Sequence, residues 1–149
     1  MELIEQLETN TVLKKAFELI DIIADITTRN KNADIYLIKP HLSQISRSSG
    51  SIAANISEVH NHLSYKFKYS KLSISLSECR ETLVHNKLLY KMHIITEAEY
   101  KLINRLCNDI ANILNSSLTK LGQINDEQAS KKGGKANGKN SPVSDTQEP

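Results

Sequence analysis

The sequence predicts an all-α protein: an antiparallel up-down four-helix bundle over residues 1–122, followed by a disordered C-terminal tail at 123–149. Three observations lead there. Apolar residues recur at intervals of three and four in four separate stretches, the links between those stretches are short and polar, and the apolar pattern stops near Gln123. A chain of 149 residues is long enough to bury a core without disulfide or metal staples.

Leu13, Phe17, Ile20 and Ile23 or Ala24 describe one face of a first helix from about Thr9 to Thr28, and Asn30 to Asp34 reads as a polar connection. Pro40 is tolerated only in a first turn, so the second helix starts near Lys39 or kinks there, and it runs to Glu58–His60. This helix has three faces. Ile38, Leu42, Ile45, Ser49, Ile52, Ile56 and Val59 form a mostly apolar stripe, while Gln44, Arg47, Ser51, Asn55 and Glu58 form a row of hydrogen-bonding groups. Ser43, Ser46, Gly50, Ala54 and Ser57 form a third side that a neighbour could approach closely. Serines and a glycine make the segment a poor helix in isolation, which places it at the enclosed centre of the bundle.

Ser64 is the expected N-cap of a third helix reaching about Met92. Its dominant stripe is Tyr65, Tyr69, Leu72, Leu76, Cys79, Leu83 and Tyr90. A second row, Phe67, Ile74 and Leu88, is interrupted by Glu81; it either widens the core face or meets another subunit. Lys68, Lys71, Ser75, Thr82 and Asn86 form the most polar side. Thr96-Glu97-Ala98-Glu99 is a capping box that starts a fourth helix, carried by Tyr100, Ile103, Leu106, Cys107, Ile110, Ile113, Leu114, Leu118 and Leu121, with Gly122 as its expected cap. Residues 130–142 hold almost nothing apolar, and Lys131, Lys132, Lys135 and Lys139 there either attract phosphates or only solubilise the tail.

The chemistry-bearing residues exclude more than they suggest. Cys79 and Cys107 lack metal-ligand spacing and sit on apolar stripes, the pattern of buried, reduced thiols in a cytoplasmic protein. No run approaches the roughly 18 apolar residues that cross a membrane, and Glu2, Glu5 and Glu8 are foreign to a signal peptide. There is no phosphate loop, HExxH or GxSxG, and the histidines lack chelating spacing, so neither metal, cofactor nor catalytic residue is expected. Glu58 and Glu78 are the carboxylates most suspected of burial. Either they form an acid/base pair, or Gln44, Ser51, Asn55, Glu58, Ser77 and Glu78 make a structural polar layer between the second and third helices. Charge is uneven: residues 1–38 carry a net −3 and residues 60–93 a net +4. That distribution suits an anionic partner or self-association of complementary patches.

The run Gln44-Ile45-Ser46-Arg47-Ser48-Ser49-Gly50-Ser51-Ile52-Ala53-Ala54-Asn55-Ile56-Ser57-Glu58 resembles Q-[IL]-R-R-A-[AS]-x-S-I-x-x-N-I-A-E-G, the motif of a four-helix-bundle family encoded in intervening sequences of large-subunit ribosomal RNA genes. Tyr65 to Leu83, with Ser75 and Glu78, is similar to its segment F-x-x-x-[LY]-x-x-A-x-G-S-x-x-E. Ser46 stands where the motif has its first arginine, Val59 where it ends in glycine, and Leu72 and Ile74 replace a second-segment alanine and glycine. Related to this family are the accessory variability determinants of diversity-generating retroelements. The resemblance therefore implies a homopentamer that binds a reverse transcriptase and its RNA.

The expected function is a non-enzymatic, oligomeric helical scaffold that meets RNA or DNA through phosphates. Arg47, Lys66, Lys68, Lys71, Arg80, Lys87 and Lys91 are the candidate contacts. The alternative is a protein-interaction module that uses this charge only between subunits or with a protein partner.

Overall fold

Four helices account for nearly all of the backbone in the computed structural model, which describes residues 10–60 and 63–136, with side chains to residue 134. They are α1 (Thr11–Arg29), α2 (Lys39–Val59), α3 (Tyr65–Lys91) and α4 (Glu97–Ala136). Neighbours run antiparallel in cyclic order, α1 beside α2, α2 beside α3, α3 beside α4, and α4 back beside α1. The cross-links show the direction: Lys15 reaches Asp109 and Arg29 reaches Glu99, while Arg47 meets Glu81 and Glu58 meets Lys71.

The helix starts follow local chemistry. Asn10 caps α1, its Oδ1 accepting from the amides of Val12 and Leu13 at 3.0 and 3.3 Å. Asp34 Oδ1 accepts from the amides of Tyr36 and Leu37 and so holds the turn that delivers Lys39 and Pro40 to the first turn of α2. Ser64 Oγ accepts from Phe67 N to start α3. The box at α4 is closed on both sides, Glu99 N donating to Thr96 Oγ1 at 3.1 Å and Thr96 N to Glu99 Oε1 at 2.9 Å. The helix α3 ends in a Schellman turn: Ile94 N donates to Leu89 O across His93, which takes the left-handed conformation at φ 59°.

The core is built from Leu13, Leu19, Ile23 and Ile26 of α1, Ile45 and Ile52 of α2, Cys79 and Leu89 of α3, and Ile103, Ile110 and Leu114 of α4. Besides Tyr69, which is half exposed, the structure departs from the expectation in four places. Phe17 and Ala24 face outward on α1, because packing against both α2 and α4 centres its buried stripe on Ala16, Leu19 and Ile23. The helix α2 has two neighbours like every other helix, so its small-residue side is not enclosed. Ser43 and Ala54 are exposed, and a methyl group built at Gly50 would meet nothing within 4 Å. The fourth helix does not stop at Gly122: burial ends there, but the helical backbone continues to Ala136, since Gln, Asn, Asp, Glu and Lys side chains there are compatible with helix. Residues 137–149 of the expected tail lie outside the described residues.

The fourth difference matters most. Ser75, Thr82 and Asn86, expected on the polar side of α3, are fully buried, as are Ser48 and Ser49 of α2. Ser48 Oγ and Thr82 Oγ1 lie 2.8 Å apart; one proton links them, and the other goes to a carbonyl of the preceding turn, Glu78 O or Ile45 O. Ser75 Oγ donates to Ile52 O across the same interface, and Asn86 Nδ2 donates to Tyr100 O and Asn104 Oδ1 on α4. Small hydroxyls can be buried here because each has an acceptor in reach.

Two outcomes follow for denaturant unfolding. Thr82→Val costs about 1–2 kcal/mol, whereas Ser48→Ala combined with Thr82→Val costs less than the sum of the two singles, because neither hydroxyl is then left alone; strict additivity would show the pair uncoupled. His93→Gly raises stability by up to about 1 kcal/mol by relieving the left-handed residue, and a loss of stability would show that the histidine side chain does more than end the helix.

Candidate nucleic-acid interface

The rotation of α3 about its axis decides which charges reach which surface. With Ser75, Thr82 and Asn86 turned inward, Glu78 and Glu81 come to the α2 flank, where both meet the guanidinium of Arg47. Arg47 holds the Glu81 carboxyl below the ordinary carboxylate range. On the same flank Lys71 Nζ lies 2.7 Å from Glu58 and 5.4 Å from the centroid of the Phe67 ring. Arg47 and Lys71, expected among the phosphate contacts, are thus each held by carboxylates.

The α4 flank of α3 is different. Lys66, Arg80, Lys87 and Lys91 are exposed along it, and among the described residues none has a carboxylate partner. Between Tyr100 and Gly122 the facing helix has a single carboxylate, Asp109, which pairs at 3.0 Å with Lys15 of α1 on the opposite side; beyond Gly122, Asp126 borders the groove. At one end Lys87 and Lys91 line a recess with Tyr100 and Asn104. Lys87 Nζ donates to the Tyr100 hydroxyl at 3.3 Å and lies 5.3 Å from its ring centroid, and that ring stacks on Tyr90 at 4.4 Å. Asn104 and Lys87 beside the hydroxyl pull the Tyr100 phenol below its usual pKa. Midway, Arg80 borders a recess with Tyr69, Asn115, Thr119 and Asp126, and Lys66 lies beyond it beside Tyr65 and Tyr69.

Of the seven expected contacts, then, four share one groove. Lys68 lies apart, at the lower end of the bundle in a recess with Asn10, His60 and Ser117. The sequence reading did not single out Asn104, Asn115 and Thr119, which complete the groove from α4, or Arg105, which is exposed with no ion pair among the described residues. The legible signal for them was the near absence of acids from residue 100 to 122.

The expected polar layer is present with other members. Asn55 donates to Ser51 O within its own helix, Glu58 is about half exposed in its pair with Lys71, Gln44 accepts from exposed Arg47, and Ser77 faces solvent. The Glu78 side chain is largely covered, beside Arg47. Ser48, Ser75 and Thr82 fill the layer instead, because they lie where α2 and α3 face each other, and Asn86 is buried against α4. Acid/base chemistry between Glu58 and Glu78 has no support here, since they hold different partners. Both cysteines are free and buried; burial pushes the Cys79 thiol up to about 12 and raises that of Cys107 as well, so neither is a ready nucleophile. Among the described residues no group of three His, Cys, Asp or Glu is placed to hold a metal, and no helix is long and apolar enough to cross a membrane.

A family model described as 23S rRNA-intervening sequence protein matches residues 8–116. The crystal structure at 1.70 Å of a protein of unknown function from the S23 ribosomal protein family of Bacteroides thetaiotaomicron VPI-5482 is similar, with a TM-score of 0.65 and 30% identity over 72% of this chain and 98% of that one. Among curated proteins none matches. With four antiparallel helices and a family match across most of the chain, this protein belongs to the 23S rRNA-intervening sequence protein family.

Proposed function

We propose that the protein is a non-enzymatic helical scaffold that binds nucleic acid through phosphates along the α3–α4 groove. The observation that carries this reading is the segregation of charge on α3: its two acids are engaged by Arg47, while Lys66, Arg80, Lys87 and Lys91 line an adjacent flank without carboxylate partners among the described residues. Contacts of that kind position a backbone and carry little sequence preference. The scaffold acts as a homo-oligomer, a homopentamer on the resemblance to accessory variability determinants, with a reverse transcriptase as protein partner. The uncovered small-residue side of α2 and the exposed Ile74 and Val84 of α3 support a further subunit contact.

A protein-interaction module without nucleic acid is the second reading, and one observation favours it. Ile35, Tyr36 and Leu37 project from the α1–α2 connection, Tyr36 with 85% of its surface exposed.

Fluorescence anisotropy with a short single-stranded RNA tests the two. Binding weakens with salt, the logarithm of affinity falling by about 0.7 per phosphate neutralised for each unit of log salt. Replacing Arg80, Lys87 and Lys91 together by glutamine lowers affinity at least ten-fold at low salt with the oligomer intact, whereas Lys71→Gln changes it less than three-fold. Salt-insensitive binding, or none to RNA or DNA at low salt, overturns the proposal, and loss of the oligomer in the triple variant favours the interaction module.

A further inference from the structure

At the lower end of the α3–α4 groove lies a recess of about 380 Å³, within the range of small-molecule sites. Tyr65 and Tyr69, one helical turn apart, form its α3 wall with Lys66 between them in sequence, and Leu121 and Gly122 form the facing wall. Asn125 and Asp126 close the rim. Tyr69 was expected in the core, yet half its surface is exposed. Gly122 is equally out of place: it lies inside a continuous helix, where glycine is less stable than alanine, and a methyl group built there would meet nothing within 4 Å. No packing requirement excludes a side chain at this position; its absence keeps the recess open.

We infer that this recess receives an unpaired nucleobase of a single-stranded nucleic acid whose phosphates run along Lys66, Arg80, Lys87 and Lys91. The inference rests on the nucleic-acid reading above and adds to it a preference for single strands that expose their bases. Charge separates the parts of the ligand. Asp126, which stands between this recess and that of Arg80 and has no ion pair among the described residues, repels a phosphate from the rim but accepts hydrogen bonds from base N–H groups, and Asn125 can either donate or accept. Lys66 is the adjacent cation for a phosphate. Aromatic side chains beside a basic track are the general means of holding unpaired bases without reading sequence. Tyr100, at the other end of the groove, is already stacked on Tyr90, and its hydroxyl accepts from Lys87.

The full chain is titrated at low salt with a short oligoadenylate and with an abasic ribose-phosphate strand of the same length. The oligoadenylate binds about ten-fold more tightly, and Tyr69→Ala removes most of that difference while leaving the abasic strand unaffected. Gly122→Leu fills the recess, leaves thermal stability unchanged or raised, and removes the difference in the same way; it guards against a loss that merely reflects misfolding. Equal binding of the two strands, or a difference that survives Gly122→Leu, overturns the base site and leaves the phosphate scaffold standing. Failure of both strands to bind overturns the scaffold reading, and the base site with it.

Discussion

The buried hydroxyl groups between α2 and α3, with the Asn86 amide between α3 and α4, set the angle at which α3 enters the bundle. Rotated by even one position, the helix would move Ser75, Thr82 and Asn86 away from Ile52 O, Ser48 and Tyr100 O and leave polar groups buried without partners. Each such orphan costs about 1–3 kcal/mol, comparable with a whole buried methyl-rich contact. An apolar stripe tolerates sliding far better, since one methylene replaces another. In α3, which carries apolar residues on more than one side, the polar contacts therefore supply the specificity that its hydrophobic pattern lacks.

The distribution of charge follows from that angle. Once Thr82 faces Ser48, the neighbouring Glu78 and Glu81 must emerge beside Arg47, and Arg80, Lys87 and Lys91 must emerge on the flank shared with α4. A helix with six cations and two acids between residues 66 and 91 is thereby sorted into a neutralised side and a basic side. The facing helix keeps that sorting intact by directing Asp109 to Lys15. The same geometry leaves Ser43 and Ala54 on the small side of α2 exposed.

Much of this was legible in the residues. Four helices, their order, the Thr96–Glu99 box and the core of α4 follow from spacing alone, because each is a local pattern with one solution. The misplacements share a cause. Ser75, Thr82 and Asn86 were read as surface groups by polarity, but their burial depends on partners supplied by another helix, which no single-helix pattern contains. Arg47 and Lys71 were read as free cations because their partners lie 31 and 13 residues away in sequence. Gly122 was read as a stop, since a glycine after a periodic run is usually one; the helix instead continues past the edge of the packed bundle.

The account turns on the acids of α3 facing α2. A carbon-detected NMR titration of the glutamate side chains measures this directly through Glu81. Because Arg47 depresses this carboxyl in the folded state, its ion pair stabilises the fold at pH values above the ordinary carboxylate range and that contribution fades as pH falls through the depressed value. The predicted result is a Glu81 midpoint below that of an exposed glutamate, rising toward it in Arg47→Gln. A midpoint in the ordinary range in the unaltered protein, unmoved by Arg47→Gln, would mean that α3 sits at another angle and that the basic groove is not where it is placed here.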